Sequence, residues 1–392
     1  MRRLSESAYR LQGQEMFKIL ARANDLESQG KSILHFELGD PDFPTPGNIV
    51  EAACKSLQDG ETHYVDSFGL LDLRKAAAES MAKGVRGFSP DLNQVLVTPG
   101  GNSQLFYAMA CTTNPGEEVI VPDPGFVSYY SIADFFGINA VRVPLYEKNE
   151  FRLNPRDVEK AITDKTRMIV INSPSNPTGS IMKEEEIRGI YELAKEHDLF
   201  LLSDEVYRRT VYRDADTDFF SPSGLDKCKD RTIVVNAFSK SYAMTGWRIG
   251  TLTAPADLTE KMNLLLETNL SCVPPFIQRA GIEALEGSQE PSNQMREELR
   301  RRRDTIVDGL NSLPNVSCVK PRGAFYAFPN ITETEMSSRE FADFMLAEAG
   351  VSLAPGPIFG RHGEGFVRFS YATSIENIKE GIQRMDLALR KR

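Results

Sequence analysis

The run Thr232-Ile233-Val234-Val235-Asn236 passes directly into Ala237-Phe238-Ser239-Lys240-Ser241-Tyr242-Ala243-Met244-Thr245-Gly246-Trp247-Arg248-Ile249-Gly250. A short apolar run that gives way to hydroxyl and charged residues reads as a buried strand ending just before Lys240. Working outward, further runs of this kind lie at 94–98, 118–122, 140–144, 167–172, 200–203 and 249–253, with longer amphipathic stretches between them. That alternation is the pattern of parallel strands joined by crossover helices. The fold class predicted is α/β: a large domain whose seven-stranded, mostly parallel sheet lies between helices. Such sheets place ligands at the carboxyl ends of their strands, and Lys240 stands just past one of them.

The chain has 392 residues, too many for one small core, so a second, smaller domain is predicted. The C-terminal third carries a helical stretch at 291–313 and strand patterns at 316–319, 324–328, 351–354 and 366–370, a mixture that suits an α+β unit. Met16, Ile19, Leu20, Ala23 and Leu26 recur at helical spacing and predict an arm that packs on this unit or on a second subunit. Gly39-Asp40-Pro41-Asp42-Phe43-Pro44-Thr45-Pro46 then forces a rigid turn, because each proline fixes its own φ and restricts its predecessor. The division predicted is 1–45 for the arm and part of the small domain, 46–288 for the large cofactor-binding domain, and 289–392 for the C-terminal small domain.

A formal net charge of −9 argues against a nucleic-acid partner, whose phosphates call for a surplus of Lys and Arg. The one basic run, at 300–303, comes after Glu297 and Glu298 and reads as a solvated helix face with local ion pairs. No apolar stretch approaches the ~18 residues of a membrane span, and no secretory signal is apparent, so a cytoplasmic protein without a membrane partner is expected. The five cysteines are scattered without a C-x-x-C, which predicts reduced structural thiols. The four histidines have no ligand partner at i+3 or i+4, and no metal site is predicted.

Several residues near the strand ends bear on chemistry. Lys240 suits an amine that attacks an aldehyde beside a phosphate, although a strand-end lysine also serves as a surface charge. Asp204 ends Leu201-Leu202-Ser203-Asp204, where a buried carboxylate calls for a cation such as a protonated pyridine nitrogen; an Asp there also suits a helix N-cap. Tyr207 stands three positions on, as packing or as a contact to a ring oxygen. Asn176 sits in Asn172-Ser173-Pro174-Ser175-Asn176-Pro177-Thr178-Gly179, which is either a rigid hydrogen-bonding loop or an ordinary turn. Thr98-Pro99-Gly100-Gly101-Asn102-Ser103 joins a strand to a helix and allows backbone amides to approach a phosphate. It is neither G-x-G-x-x-G nor a Walker sequence, so neither a dinucleotide nor ATP is implied. Ser239 and Arg248 add a hydroxyl and a fixed cation for the same phosphate. Arg368, flanked by apolar residues, suits a bidentate grip on a carboxylate or an exposed strand face, and Phe126 suits ring stacking or core packing.

Taken together these groups resemble the fold-type I pyridoxal-phosphate enzymes, and within them the class I/II aminotransferases of aspartate and aromatic type. The resemblance covers nearly the whole chain: Gly39-Asp40-Pro41, Tyr64, Gly69-Leu70, Leu73-Arg74, Gly100-Gly101, Asn176-Pro177-Thr178-Gly179, Asp204-Glu205-Val206-Tyr207, Ser239-Lys240 through Gly246-Trp247-Arg248, Gly323-Ala324-Phe325-Tyr326 and Arg368. It implies pyridoxal 5'-phosphate as cofactor, with Lys240 forming an imine to it and moving a proton during a ping-pong transfer between an α-amino acid and a 2-oxo acid. It implies that Asp204 holds the ring nitrogen and that Asn176 and Tyr207 contact the ring oxygen. Gly101, Asn102, Ser103, Ser239 and Arg248 would take the phosphate, with Tyr64 reaching across from the partner subunit of a homodimer. Arg368, Asn176 and the Gly39 backbone would take the substrate carboxylate. Phe126 stands where related sequences carry Tyr or Trp. No motif residue supplies a second cation for a substrate side chain, though Arg10 or Lys18 of the arm could serve. β- or γ-Elimination on the same cofactor is the alternative outcome. A ligand sensor that kept the fold would need a DNA-binding segment, for which little chain precedes Gly39.

Overall fold

A computed structural model describes residues 3–11, 13–85, 87–214 and 218–392. Its centre is a seven-stranded sheet: β1 (Val95–Thr98), β2 (Glu118–Asp123), β3 (Asn139–Pro144), β4 (Thr166–Asn172), β5 (Phe200–Asp204), β6 (Thr232–Ala237) and β7 (Gly250–Thr253). The spatial order is β1-β7-β6-β5-β4-β2-β3. Only β7 runs against its neighbours. The central strands are apolar throughout because helices cover both faces: Leu96, Val121, Val170, Leu202 and Val235 pack into one core layer, and Ile120, Ile169, Ile171 and Leu201 into the other.

The direction of β7 is what assembles the site. The register pairs Thr98 with Gly250, Gly250 with Ala237, and Asn172 with Asp204. The carboxyl ends of β1, β4, β5 and β6 therefore share one edge with the amino end of β7, and Arg248, two residues before β7, arrives beside Lys240 from the opposite chain direction.

The smaller domain contains a three-stranded antiparallel sheet of β8 (Tyr326–Ala327), β9 (Ala354–Pro355) and β10 (Val367–Ser370), in the order β9-β10-β8. The helices Glu290–Ser312 and Ile375–Lys391 pack on it around Leu299, Ile306, Leu310, Phe325, Phe341 and Phe369. The chain near its start joins this body: Leu34–His35 pairs in parallel with Val351–Ser352. The arm helix Glu15–Ser28 is tied down by the Glu15–Arg339 and Arg22–Asp343 ion pairs and by Ala23 against Ile33 and Leu346.

Some sequence expectations need correction. Residues 316–319 form no strand and make only an isolated bridge, Ser317 to Asn330. The stretch 324–328 shrinks to a two-residue strand, and 351–354 divides between two sheets. Gln94 lies in the turn before β1, where its side chain accepts from the Asp91 backbone. The basic run 300–303 is only half solvated. Arg300 and Arg301 make surface pairs with Glu297 and Glu298. Arg302 and Arg303 are buried: Arg302 pairs with Asp42 over the Phe43 ring, and Arg303 pairs with Asp214 and Asp304 over Tyr212. Helical spacing puts them on the face of Leu299 and Ile306, so their long stems enter the core while their charges find partners.

Candidate active site

A cavity of about 300 Å³ lies where the sheet edge meets the small domain and the arm helix. Its walls include Gly39, Gly101, Asn102, Phe126, Asn176, Asp204, Tyr207, Ser239, Lys240, Arg248 and Arg368. Ser103 and Tyr64 do not line it. Ser103 lies in the first turn of the helix Gly101–Thr112 and donates its hydroxyl to the Pro99 carbonyl at 3.1 Å. Tyr64 is 84% exposed.

Lys240 sits on the short helix Phe238–Ser241 that β6 runs into. Its Nζ donates to the Gly39 carbonyl at 2.5 Å. A side chain at Gly39 would clash, because a Cβ would lie 2.0 Å from the Tyr326 hydroxyl. Burial lowers the lysine to about 8; Asp40 opposes this shift, and Arg368 and Arg248 add to it. An amine in that range has a substantial neutral, nucleophilic fraction near pH 8.

Asp204 ends β5 at 4% exposure and has no ion-pair partner among the described residues. Tyr129 donates to its Oδ2 at 2.6 Å, and the Val206 N–H approaches Oδ1 at 3.4 Å. Burial raises its carboxyl to about 6, against the opposing effect of Tyr129. The N-cap alternative fails, since residues 206–209 form a turn and no helix. Tyr207 is buried beside it and shares a 2.8 Å hydrogen bond with the Tyr326 hydroxyl.

Arg368, on β10, is 1% exposed, which excludes the open strand face. Its Nη1 donates to Asn176 Oδ1 at 3.0 Å and its Nη2 to the Glu37 carbonyl. The Asn176 backbone is held in turn by Asn172 Oδ1 at 2.9 Å. Two aromatic faces, Tyr326 and Phe359, clasp the guanidinium.

On the other side, Gly100 has φ 81° and precedes a helix whose N-terminus has no side-chain cap, so its first amides face the cavity end. A Cβ on Gly100 would come within 2.6 Å of Arg248 Nη2, and it is this missing side chain that lets the guanidinium lie against the turn. Arg248 is fixed by Nη1 donating to the Thr245 carbonyl at 2.9 Å. Phe126 packs edge-on against Tyr129, 5.7 Å between centroids.

Sequence reasoning missed Tyr129, Tyr326, Asp40 and the arm residues Met16 and Phe17. The spacing of Phe126 and Tyr129 was the available signal for Tyr129, since residues three apart at a helix start share a face. The suggested arm cations do not reach the cavity. Arg10 donates to the Phe135 carbonyl at 3.2 Å, and Lys18 lines a separate groove with Glu15 and Arg22.

The chain is similar to known proteins over nearly its whole length. The family described as aminotransferase class I and II matches residues 31–385. An aspartate aminotransferase of Pyrococcus abyssi is 42% identical over 370 residues, 94% of each chain. An aromatic-amino-acid aminotransferase of Thermococcus litoralis is 43% identical, again over 94% of each chain. The solved structure of Thermus thermophilus aspartate aminotransferase with maleate superposes with a TM-score of 0.94 at 35% identity, covering 99% of this chain and 100% of that one.

Proposed function

The chain belongs to the class I and II aminotransferases, and from that premise we propose that it moves an amino group from an α-amino acid to a 2-oxo acid in two half-reactions, with pyridoxal phosphate held beside Lys240. Bound there, the cofactor supplies an aldehyde that takes up the amino group and a protonated ring that draws electrons from the substrate Cα. The residues present fit that group: a glycine turn under a fixed arginine, an uncapped helix N-terminus, a buried carboxylate without a cation, and a lysine of lowered pKa.

In this reading Arg248, Ser239 and the amides of Gly101 and Asn102 would hold the phosphate. Asp204, oriented by Tyr129, would hold the ring nitrogen, and a cation there would return its carboxyl to the ionised form. Tyr207 and Asn176 would hold the ring oxygen, and Phe126 would pack on the ring. Lys240 Nζ takes the proton from the substrate Cα and returns it at cofactor C4′, as a base whose pKa is near its working pH. Arg368 and Asn176 hold the α-carboxylate. The observation that carries the reading is the meeting of Lys240, Asp204, Arg248 and Arg368, from three separate stretches of the chain, in one cavity.

The substrate side chain then faces Gln14, Met16, Phe17, Leu38 and Asp40, the remaining walls near the arm. With the three cavity cations already engaged, this favours an uncharged, largely apolar side chain over a dicarboxylate. We place the enzyme in the cytoplasm, on its cysteine pattern, as a homodimer with Tyr64 completing the neighbouring site.

The test is a spectral titration of loaded enzyme against a panel of amino acids. Phenylalanine, tyrosine and leucine should convert the cofactor to its amine form faster than aspartate, and Lys240→Ala should lose both turnover and the near-visible absorbance. Turnover retained in Lys240→Ala would overturn the reading. Ammonia release without an oxo acid would favour the elimination alternative.

A further inference from the structure

Arg368 uses Nη1 on Asn176 and Nη2 on the Glu37 carbonyl and the Met16 sulfur, while its buried Nε has no acceptor among the described residues. The residue whose backbone braces it also carries a charge. The Glu37 side chain is 0% exposed; one carboxylate oxygen is 2.7 Å from His35 Nδ1, and the other is buried without a partner among the described residues. Ser352 and Ser370, whose segments hydrogen-bond the Phe36 backbone from either side, keep their own buried hydroxyls unpartnered and do not donate to it. Among the described residues, a carboxylate oxygen and a guanidinium N–H thus stand unpaired on two residues that the hydrogen bond from Arg368 Nη2 to the Glu37 carbonyl holds side by side, and Glu37 opposes the lowering that burial imposes on Arg368.

Opposite charges in a buried wall attract strongly, and a carboxylate paired with Arg368 would occupy the donors a substrate carboxylate needs. The group that answers Glu37 instead is His35, at the edge of the arm. Its other nitrogen lies 3.3 Å from Glu27 on the arm helix. Hydrogen bonding to Glu37, with help from Glu27 and against partial burial, raises His35 to about 9, so it is cationic at neutral pH. Arg384 of the C-terminal helix is already engaged by Ser32 and Glu380.

We propose that His35 is a positioning residue that holds the Glu37 carboxylate away from Arg368 and so reserves that arginine for the substrate's α-carboxylate. The proposal rests on Arg368 being the carboxylate site of the proposed aminotransferase.

The probe is 3-phenylpropanoate, a carboxylate without an amino group, titrated calorimetrically into pyridoxal-phosphate-loaded protein near neutral pH. His35→Gln should weaken its binding about tenfold, the scale of a competing charge-assisted pair. The double variant His35→Gln/Glu37→Gln should return to within about twofold of wild type, because no carboxylate is left to compete. Glu37→Gln alone should bind at least as tightly as wild type. Wild-type affinity should also fall as pH rises through about 9, more steeply than in the double variant. A purely structural His35 would make the double variant worse than either single one, and that result overturns the proposal. So does unchanged binding in His35→Gln while Arg368→Gln binds poorly. If Arg368→Gln binds the probe as well as wild type, the assignment of the carboxylate site fails and takes this proposal with it.

Discussion

Asp204 accepts a hydrogen bond from the Tyr129 hydroxyl at 2.6 Å, at the end of a strand buried from Leu201 onward. A hydrogen bond to a charged group contributes about 1.5–3 kcal/mol, and a carboxylate that loses its donor in such a place is both less acidic and free to turn. Tyr129→Phe keeps the ring and its edge contact with Phe126 while removing only the O–H. It should weaken pyridoxal phosphate binding roughly 10- to 150-fold, the range that energy spans, measured by fluorescence titration of the cofactor-free protein. An unchanged affinity would remove Tyr129 from the cofactor machinery. The position of Asp204 was legible in the sequence, since an apolar run ending in a carboxylate marks a strand end. Its role was not, because a helix cap and a buried ion partner differ only in the path of the next few residues and in the group opposite the carboxylate. The chain turns at 206–209, and the tyrosine that faces Asp204 comes from 75 residues away.

In the proposed function the turn before the helix Gly101–Thr112 would hold the phosphate as an element, rather than through one side chain. Gly100 adopts φ 81° and ψ 176°, a region that is essentially glycine-only and costs other residues ~1–3 kcal/mol. Its missing Cβ is also the space that Arg248 Nη2 occupies. Gly100→Ala should therefore lower stability by about that amount and in addition displace the guanidinium, so thermal unfolding would show a loss that added cofactor does not recover. Ser103→Ala in the same turn should change stability by less than ~0.5 kcal/mol, since its hydroxyl only bonds back to Pro99. Comparable losses in both variants would mean that the turn is merely structural. Among elements, the large sheet was readable because each strand repeats one pattern and is reinforced by the next. The strands of the small domain have two to four residues, too few for a period to appear, and they form because neighbouring backbone pairs with them. Arg302 and Arg303 were misread through their charge, although the helical spacing with Leu299 and Ile306 already placed them inward.

At the scale of the whole molecule, the cavity draws its walls from the sheet edge, the small domain and an arm anchored to that domain by Glu15–Arg339 and Arg22–Asp343. Sequence could place each wall but not their closure, which depends on β7 reversing direction and on β10 presenting Arg368 across the gap. Tyr64 is 84% exposed. Its segment is bonded by Ser67 to Glu267 of the helix Ala256–Asn269, and Leu71, Leu264 and Leu270 on or beside these elements are exposed as well. Single exposed apolar residues need no explanation, but a group on joined elements suits an interface. If Tyr64 completes the partner's site, two-fold symmetry makes complementation possible. Lys240→Ala and Tyr64→Ala homodimers each lack what both of their sites need. Unfolded together and reassembled at random, about half the dimers would be mixed, and each would hold one site with an intact lysine and an intact tyrosine, restoring about a quarter of wild-type activity. The assay runs at a cofactor concentration that leaves Tyr64→Ala largely unloaded. A tyrosine acting within its own subunit predicts no gain on mixing, because the intact lysine and the intact tyrosine would then never meet in one site.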